Sequence, residues 1–304
     1  MFGDDILAAQ KSLLKGKYLK SYNNFMTCQK SYHKRPELVI LSNGRHYIDG
    51  LNSCRCGYCY HCVKVYLYKA SLEVAKVNDF IKKEKLRPTM LTLTIPHKVT
   101  DRLRDLKIIL DKATRNFLAE SKNKLMKKIN KDVGSEGYIL RNEITYNEQS
   151  GWHNHCHIVQ LNIDDYSESQ KNQLQSEFAR QLELAGFLFS RLDKYNIEKK
   201  GGLIHFRENS FDVSYLSKFD EDNPVNLAIS NPLKYVEFAQ SFNGSAKIPL
   251  LKFKNGLKSR IAKIFPEENN QKEKELRRIQ FPESLINQPP EYIDEWLEKE
   301  LFCS

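Results

Sequence analysis

No apolar run in this 304-residue chain reaches the 20 or so residues that a membrane-spanning helix takes, so a helical integral membrane protein is not expected. The first residues, Met1-Phe2-Gly3-Asp4-Asp5, lack the charged-then-apolar pattern of a signal peptide. These two lacks predict a cytoplasmic protein, in which seven cysteines read as thiols or metal ligands before disulfides. There is no internal repeat and no low-complexity segment, which excludes repeat architectures. What remains is a globular composition, 40% hydrophobic and 28% charged, with length enough for one large domain or two modest ones.

Acidic residues are scarce in one part of the chain only. Residues 1–135 hold 27 Lys+Arg against 12 Asp+Glu, a balance of +15, whereas residues 136–304 hold 21 against 26, or −5. The basic part is the one expected to grip a polyanion. Aromatics lie among its basic residues (Tyr58, Tyr60, Tyr66 and Tyr68) and are candidates for stacking on unpaired bases, although the helical spacing of Tyr66 also suits a core position.

The stretch Gly151-Trp152-His153-Asn154-His155-Cys156-His157-Ile158-Val159-Gln160-Leu161 alternates with a period of two, as a β-strand requires. Read so, His153, His155 and His157 share a face with Val159 and Leu161. His155 and His157, nearest the apolar part, form the inward pair and a chelating edge for a divalent metal. Residues 138–146 read as a second strand, and Asn147-Glu148-Gln149-Ser150-Gly151 as the hairpin loop. Closing the hairpin with Tyr146 opposite Trp152 puts Glu143 opposite His155, and a slip of one residue would turn Glu143 to the other face. Two imidazoles and a carboxylate would leave coordination positions open to water and substrate, as a catalytic site needs.

Upstream, Cys54-Arg55-Cys56-Gly57-Tyr58-Cys59-Tyr60-His61-Cys62 holds four thiols in nine residues. Two Cys-x-x-Cys steps suit tetrahedral Zn²⁺, with Gly57 easing the turn. The ligand set expected is Cys54, Cys56, Cys59 and Cys62. Four ligands in so short a loop are cramped, so Cys28, His46 or His61 can replace one. The basic residues around this knuckle (Arg45, Arg55, Lys64 and Lys69) suggest contact with phosphate.

Elsewhere the pattern predicts helices over about 6–24 and 63–85, a strand over 90–97 stopped by Pro96, and one long helix over about 101–130 capped by Thr100. Ser167 and Gln170 have capping-box spacing for a helix ending at Gly186, and residues 202–207 read as a strand. Asp212 can cap a short helix over 213–219, and Asn231-Pro232 starts another. Beyond about residue 265 the chain is charged, with a helix expected around Tyr292–Leu301. The order predicts an α+β fold, a central antiparallel sheet with helices mainly on one face. The expected division is a basic region with the knuckle (1–85), a domain over 86–262, and a charged tail (263–304).

Three motifs in order resemble the rolling-circle replication initiators of small plasmids and single-stranded DNA phages, the HUH endonucleases. They are Leu91-Thr92-Leu93-Thr94 followed by Pro96, His155-Cys156-His157, and Tyr215-Leu216-Ser217-Lys218. With the cysteine knuckle, the resemblance covers roughly residues 50–245. It implies a ferredoxin-like palm, with Mn²⁺ or Mg²⁺ on His155, His157 and Glu143 and Zn²⁺ in the knuckle. It further implies Tyr215 as nucleophile, Lys218 as its helper, origin DNA (single-stranded or hairpin) as substrate, and a host helicase and polymerase as partners. Phe219 stands where some relatives carry a second tyrosine, which favours a one-tyrosine enzyme. No glutamate lies just before Tyr215, the nearest acids being Glu208 and Asp212; Tyr235 is the rival nucleophile. A transposase of the same chemistry, or a zinc-containing nucleic-acid-binding regulator without catalysis, are the competing readings.

Overall fold

The computed structural model describes residues 2–15, 22–28, 32–41, 46–188, 202–208, 216, 223–242, 251–254, 256–265, 275–280 and 282. In chain order the elements begin with α1 (Phe2–Leu14), α2 (Tyr22–Met26), β1 (Tyr32–Leu41), β2 (His46–Leu51), α3 (Tyr60–Glu84) and β3 (Arg87–Thr94). Next come α4 (Leu103–Leu118), α5 (Lys124–Asp132), β4 (Gly137–Asn147), β5 (Gly151–Asn162), α6 (Glu168–Ala185) and β6 (Ile204–Glu208). A 3₁₀ turn (Pro224–Asn226) leads into α7 (Leu227–Ser230), α8 (Pro232–Ser241), β7 (Lys252–Phe253), α9 (Leu257–Ile264) and β8 (Glu275–Gln280). No helix among the described residues is long and apolar enough to cross a membrane.

The chain divides into two compact units, Met1–Ser21 with Arg55–Pro266, and Tyr22–Cys54 with Glu267–Ser304. Within the larger unit, α3 buries its apolar stripe against the sheet that follows it. The larger unit is an α+β structure on a five-stranded antiparallel sheet ordered β6-β3-β5-β4-β7. On one face, Met90, Ile139, Val159 and Leu161 pack against Ala70, Val74, Val77 and Phe80 of α3 and Leu257 and Ile261 of α9. Each fully buried Val, Leu, Ile, Phe or Met side chain among these stabilises the fold by about 1.5–3 kcal/mol.

The opposite face is covered as well, which corrects the expectation of helices mainly on one side. Asn142 Nδ2 donates to Asp111 Oδ1 of α4 at 3.0 Å, and Gln160 Nε2 donates to Asn130 Oδ1 of α5 at 2.7 Å. Phe117 of α4 meets Phe178 of α6 edge-on, with ring centres 5.4 Å apart. The reason lies in β5: Cys156, Ile158 and Gln160 are as buried as Val159 and Leu161 on the other side, so both faces need a cover.

The single long helix expected over 101–130 is two. Buried Asn123 separates them, its Nδ2 donating to Phe117 O at 2.8 Å and its Oδ1 accepting the Met126 N–H at 3.1 Å. Thr100 is not the cap of α4; the Leu103 N–H donates instead to the Glu237 carboxylate of α8 at 3.1 Å, a partner remote in sequence. The other caps stand where the pattern put them. Ser167 and Gln170 form a capping box, Gly186 ends α6 in the left-handed region at φ 106°, and Asn231 accepts from Lys234 N–H ahead of Pro232.

The smaller unit is a three-stranded antiparallel sheet ordered β2-β1-β8. β1 pairs with β2, with Leu38 opposite Ile48. β8 lies within the charged tail, where no strand was expected. Arg278 binds Glu37 at 2.7 Å and Asp49 at 3.0 Å, so a charge of the tail is partnered across strands. The helix expected over 292–301 lies outside the described residues.

Candidate metal and strand-cleavage site

The β4–β5 hairpin closes in the expected register, with Tyr146 opposite Trp152 and Glu143 opposite His155. Gly151 makes the closure possible. Its φ is +82°, and a Cβ there would lie 2.8 Å from the Val99 backbone, which no other residue type tolerates at low cost. On the other side of β5, Thr92 pairs with His157 and Thr94 with His155. Period-two alternation on three neighbouring strands thus sets Thr92, Thr94, His155, His157 and Glu143 on one face, the face that α3 covers. β7 pairs with only Ile139 and Leu140 of β4. Beyond them, Arg141, Glu143 and Thr145 line a cleft with Tyr66, Phe238 and Phe242.

The rings on this face are oriented by the threonines. Thr92 Oγ1 lies 3.0 Å from His157 Nδ1, and Thr94 Oγ1 lies 3.1 Å from His155 Nδ1. Such a bond on one ring nitrogen fixes the direction of the other. His157 Nε2 lies 2.7 Å from Glu143 Oε2. The ring of His155 stands 6.3 Å from that of His157 and stacks on His153 at 6.0 Å, and His97 meets His153 edge-on at 4.6 Å. Burial, and then the neighbouring His157, push His155 down to about 4, so it presents a neutral imidazole at neutral pH. Burial also opposes ionisation of Glu143, but the His157 hydrogen bond and the charges of His157, Arg141 and His155 outweigh it and hold the carboxyl below its ordinary range.

The orienting threonines were legible only as part of the Leu-Thr-Leu-Thr alternation, since the cross-strand register decides which hydroxyl meets which ring. His205, paired with Thr92 on the edge strand β6, shares the same face and is exposed; no spacing in the sequence marks it.

Tyr215, Lys218 and Asp212 lie outside the described residues. Leu216, between Tyr215 and Lys218, is fully buried in the core cluster with Val159 and Leu161, on the face of the histidines. Tyr235 is also fully buried, and its hydroxyl donates to Tyr58 O at 2.8 Å, which is the part of a core tyrosine. Glu208 projects on the opposite face from His205 and is ion-paired with Lys171 of α6 at 2.9 Å, away from the histidines. Arg55, Lys64 and Lys69 are exposed, and Lys64 Nζ lies 5.1 Å from the centre of the Tyr60 ring. Tyr66 is a core residue, its hydroxyl accepting the Leu251 N–H, while Tyr68 is half exposed.

The thiols gather with one exchange of partner. The sulfurs of Cys28, Cys54, Cys59 and Cys62 all lie within 4.8 Å of one another, the one group of three or more metal-binding side chains so drawn together among the described residues. Tetrahedral Zn²⁺ with bonds of about 2.3 Å sets sulfurs roughly 3.8 Å apart, so this donor set fits the ion after a small contraction. The Cys54 N–H donates to Cys28 Sγ at 3.5 Å, a contact that favours thiolate. Cys56, expected as a ligand, is outside the four. Its carbonyl instead accepts the Cys59 N–H at 3.1 Å, shaping the turn that leads Cys59 and Cys62 into α3. Gly57 has no left-handed φ there; it leaves room for the Phe242 ring, which a Cβ would meet at 2.7 Å.

Comparison of the chain with protein-family models, with curated proteins and with solved structures gave no match.

Proposed function

We propose that the chain is a site- and strand-specific DNA endonuclease and ligase of the HUH type that initiates rolling-circle replication. The observation that carries this reading is the common face of β3, β5 and β4. There Thr92 and Thr94 of the first motif orient His155 and His157 of the second, and Glu143 joins them. The burial of Leu216 from the third motif on that face supports it further.

A divalent metal (Mn²⁺ or Mg²⁺) on His155, His157 and Glu143 would supply Lewis acidity at a scissile phosphate. His155 contributes a neutral ring, and Glu143, already ionised beside His157, contributes charge. In the transfer step the Tyr215 phenolic oxygen bonds to phosphorus and the bond from phosphorus to the 3′ oxygen breaks. The phenolic proton ends on that oxygen, leaving a 5′-phosphotyrosine link and a free 3′-hydroxyl. Phenolate is a fair leaving group, so the strand can be rejoined by the reverse step. Lys218, three residues on in the sequence, stabilises the phenolate or the phosphate. Zn²⁺ on the four thiols has a structural role.

A second reading, a zinc-containing nucleic-acid-binding regulator, is favoured by one observation: the thiols, not the histidines, form the gathered donor group. One experiment separates the two. Single-stranded DNA from the element's own origin is incubated with the protein in Mn²⁺ or EDTA, and adducts are resolved on a denaturing gel. A metal-dependent adduct present in wild type and absent in Tyr215→Phe is expected. No adduct on any origin strand would leave the regulator as the better account.

A further inference from the structure

The basic charge of the chain has a second focus, remote from the histidine face. Helix α5 carries Lys124, Lys127, Lys128 and Lys131, all exposed, at the spacing i, i+3, i+4, i+7 that forms one stripe. Every pair along the stripe is of like charge, and no acidic residue stands in the helix's first turn, where the macrodipole favours one. Lys122, just before the helix, is exposed too. Lys131 in the last turn and Asp132, four residues after Lys128, offset part of this repulsion, and the stripe stays strongly cationic, a face that suits an external anion.

The surroundings say which anion. Of the apolar residues of α5, Met126 and Ile129 are buried and Leu125 alone is part-exposed at the edge of the groove, too small an apolar area to enter a lipid surface. Beside the stripe a groove between α5 and α6 is lined by Ser169, Asn172, Gln173 and Ser176, hydroxyls and amides that suit phosphate and sugar oxygens. The one carboxylate in the groove, Glu177, is neutralised by Arg180 at 2.8 Å. No aromatic side chain lines it, so it offers unpaired bases nothing to stack on. Asn130 of α5 meets Gln160, on the face of β5 opposite His155 and His157, so this surface is separate from the proposed cleavage site.

We infer that the α5 stripe and the α5–α6 groove form a binding surface for the sugar–phosphate backbone of double-helical DNA, without base readout. The stripe spans about 10 Å from Lys124 to Lys131, at 1.5 Å per residue, enough to meet consecutive phosphates of one strand. Each phosphate it neutralises adds about 0.9 to the slope of log affinity against log salt.

The test is duplex binding by full-length protein, measured by fluorescence anisotropy on a random-sequence 20-base-pair duplex at several salt concentrations. The stripe variant K124Q/K127Q/K128Q/K131Q is compared with K82Q/K252Q/K254Q/K263Q, which removes the same charge from exposed lysines elsewhere; circular dichroism melts check folding of both. The stripe variant is expected to lose at least tenfold in affinity at 0.1 M salt and about 3 to 4 from the salt slope, with the control within threefold of wild type. Equal losses in both variants, or an unchanged slope in the stripe variant, would overturn the inference. So would wild-type binding to phosphatidylserine vesicles or to single strands in preference to the duplex.

Discussion

Replacing Tyr235 by Phe tests the division between core and chemistry, because a second tyrosine competes for the nucleophile's part. The change removes one oxygen from a side chain that is fully buried, and with it the 2.8 Å hydrogen bond to the carbonyl of Tyr58, itself 1% exposed. Depriving a buried carbonyl of this donor costs about 1–3 kcal/mol. In a unit of this size, about 2–4 °C of melting temperature is lost per kcal/mol, so the midpoint should fall by roughly 2–12 °C. The ring still fills its place beside Phe238, so the fold survives. Thermal and urea denaturation measure the loss, and the covalent-adduct assay, run at a temperature where both proteins are folded, measures the chemistry. The expected result is a less stable protein with wild-type adduct yield per folded molecule. An adduct lost at unchanged stability would refute the reasoning and make Tyr235 the nucleophile.

Two further predictions concern the metal donors and their protons. Metal analysis after gel filtration should find one Zn²⁺ per chain in wild type and in Cys56→Ser, and markedly less in Cys28→Ser; the opposite pattern would return Cys56 to the ligand set. In EDTA, stability should fall as the pH drops from about 6.5 to about 4. Buried His155 takes up its proton only near the lower value, so the unfolded chain binds more protons throughout that window. The effect is about 3 kcal/mol, at about 1.36 kcal/mol per unit. Glu143, held below the ordinary carboxylate range, adds a loss of the same sign at the acid end. Urea titrations at several pH values should show a flatter profile in His155→Gln, and an unchanged slope in that variant would count against the burial of a neutral ring.

Much of this protein was legible from local pattern. Alternation along 151–161 decided which residues share a face, and the length of the loop at 147–151 decided the register that puts Glu143 opposite His155. The capping box at Ser167, the stop at Gly186 and the start at Asn231-Pro232 were equally readable, because a cap is an interaction over three or four residues. Tertiary structure alone decided the rest, since those choices depend on groups far apart in the chain. Cys28 enters the thiol group in place of Cys56 because the sulfurs are sorted by distance in space. A glutamate more than a hundred residues downstream receives the first amide of α4, and buried Asn123 breaks a lysine-rich helix that shows no Gly or Pro. The second helical layer follows from the burial of β5 on both sides, which period-two alternation fixes as two faces without saying what covers each.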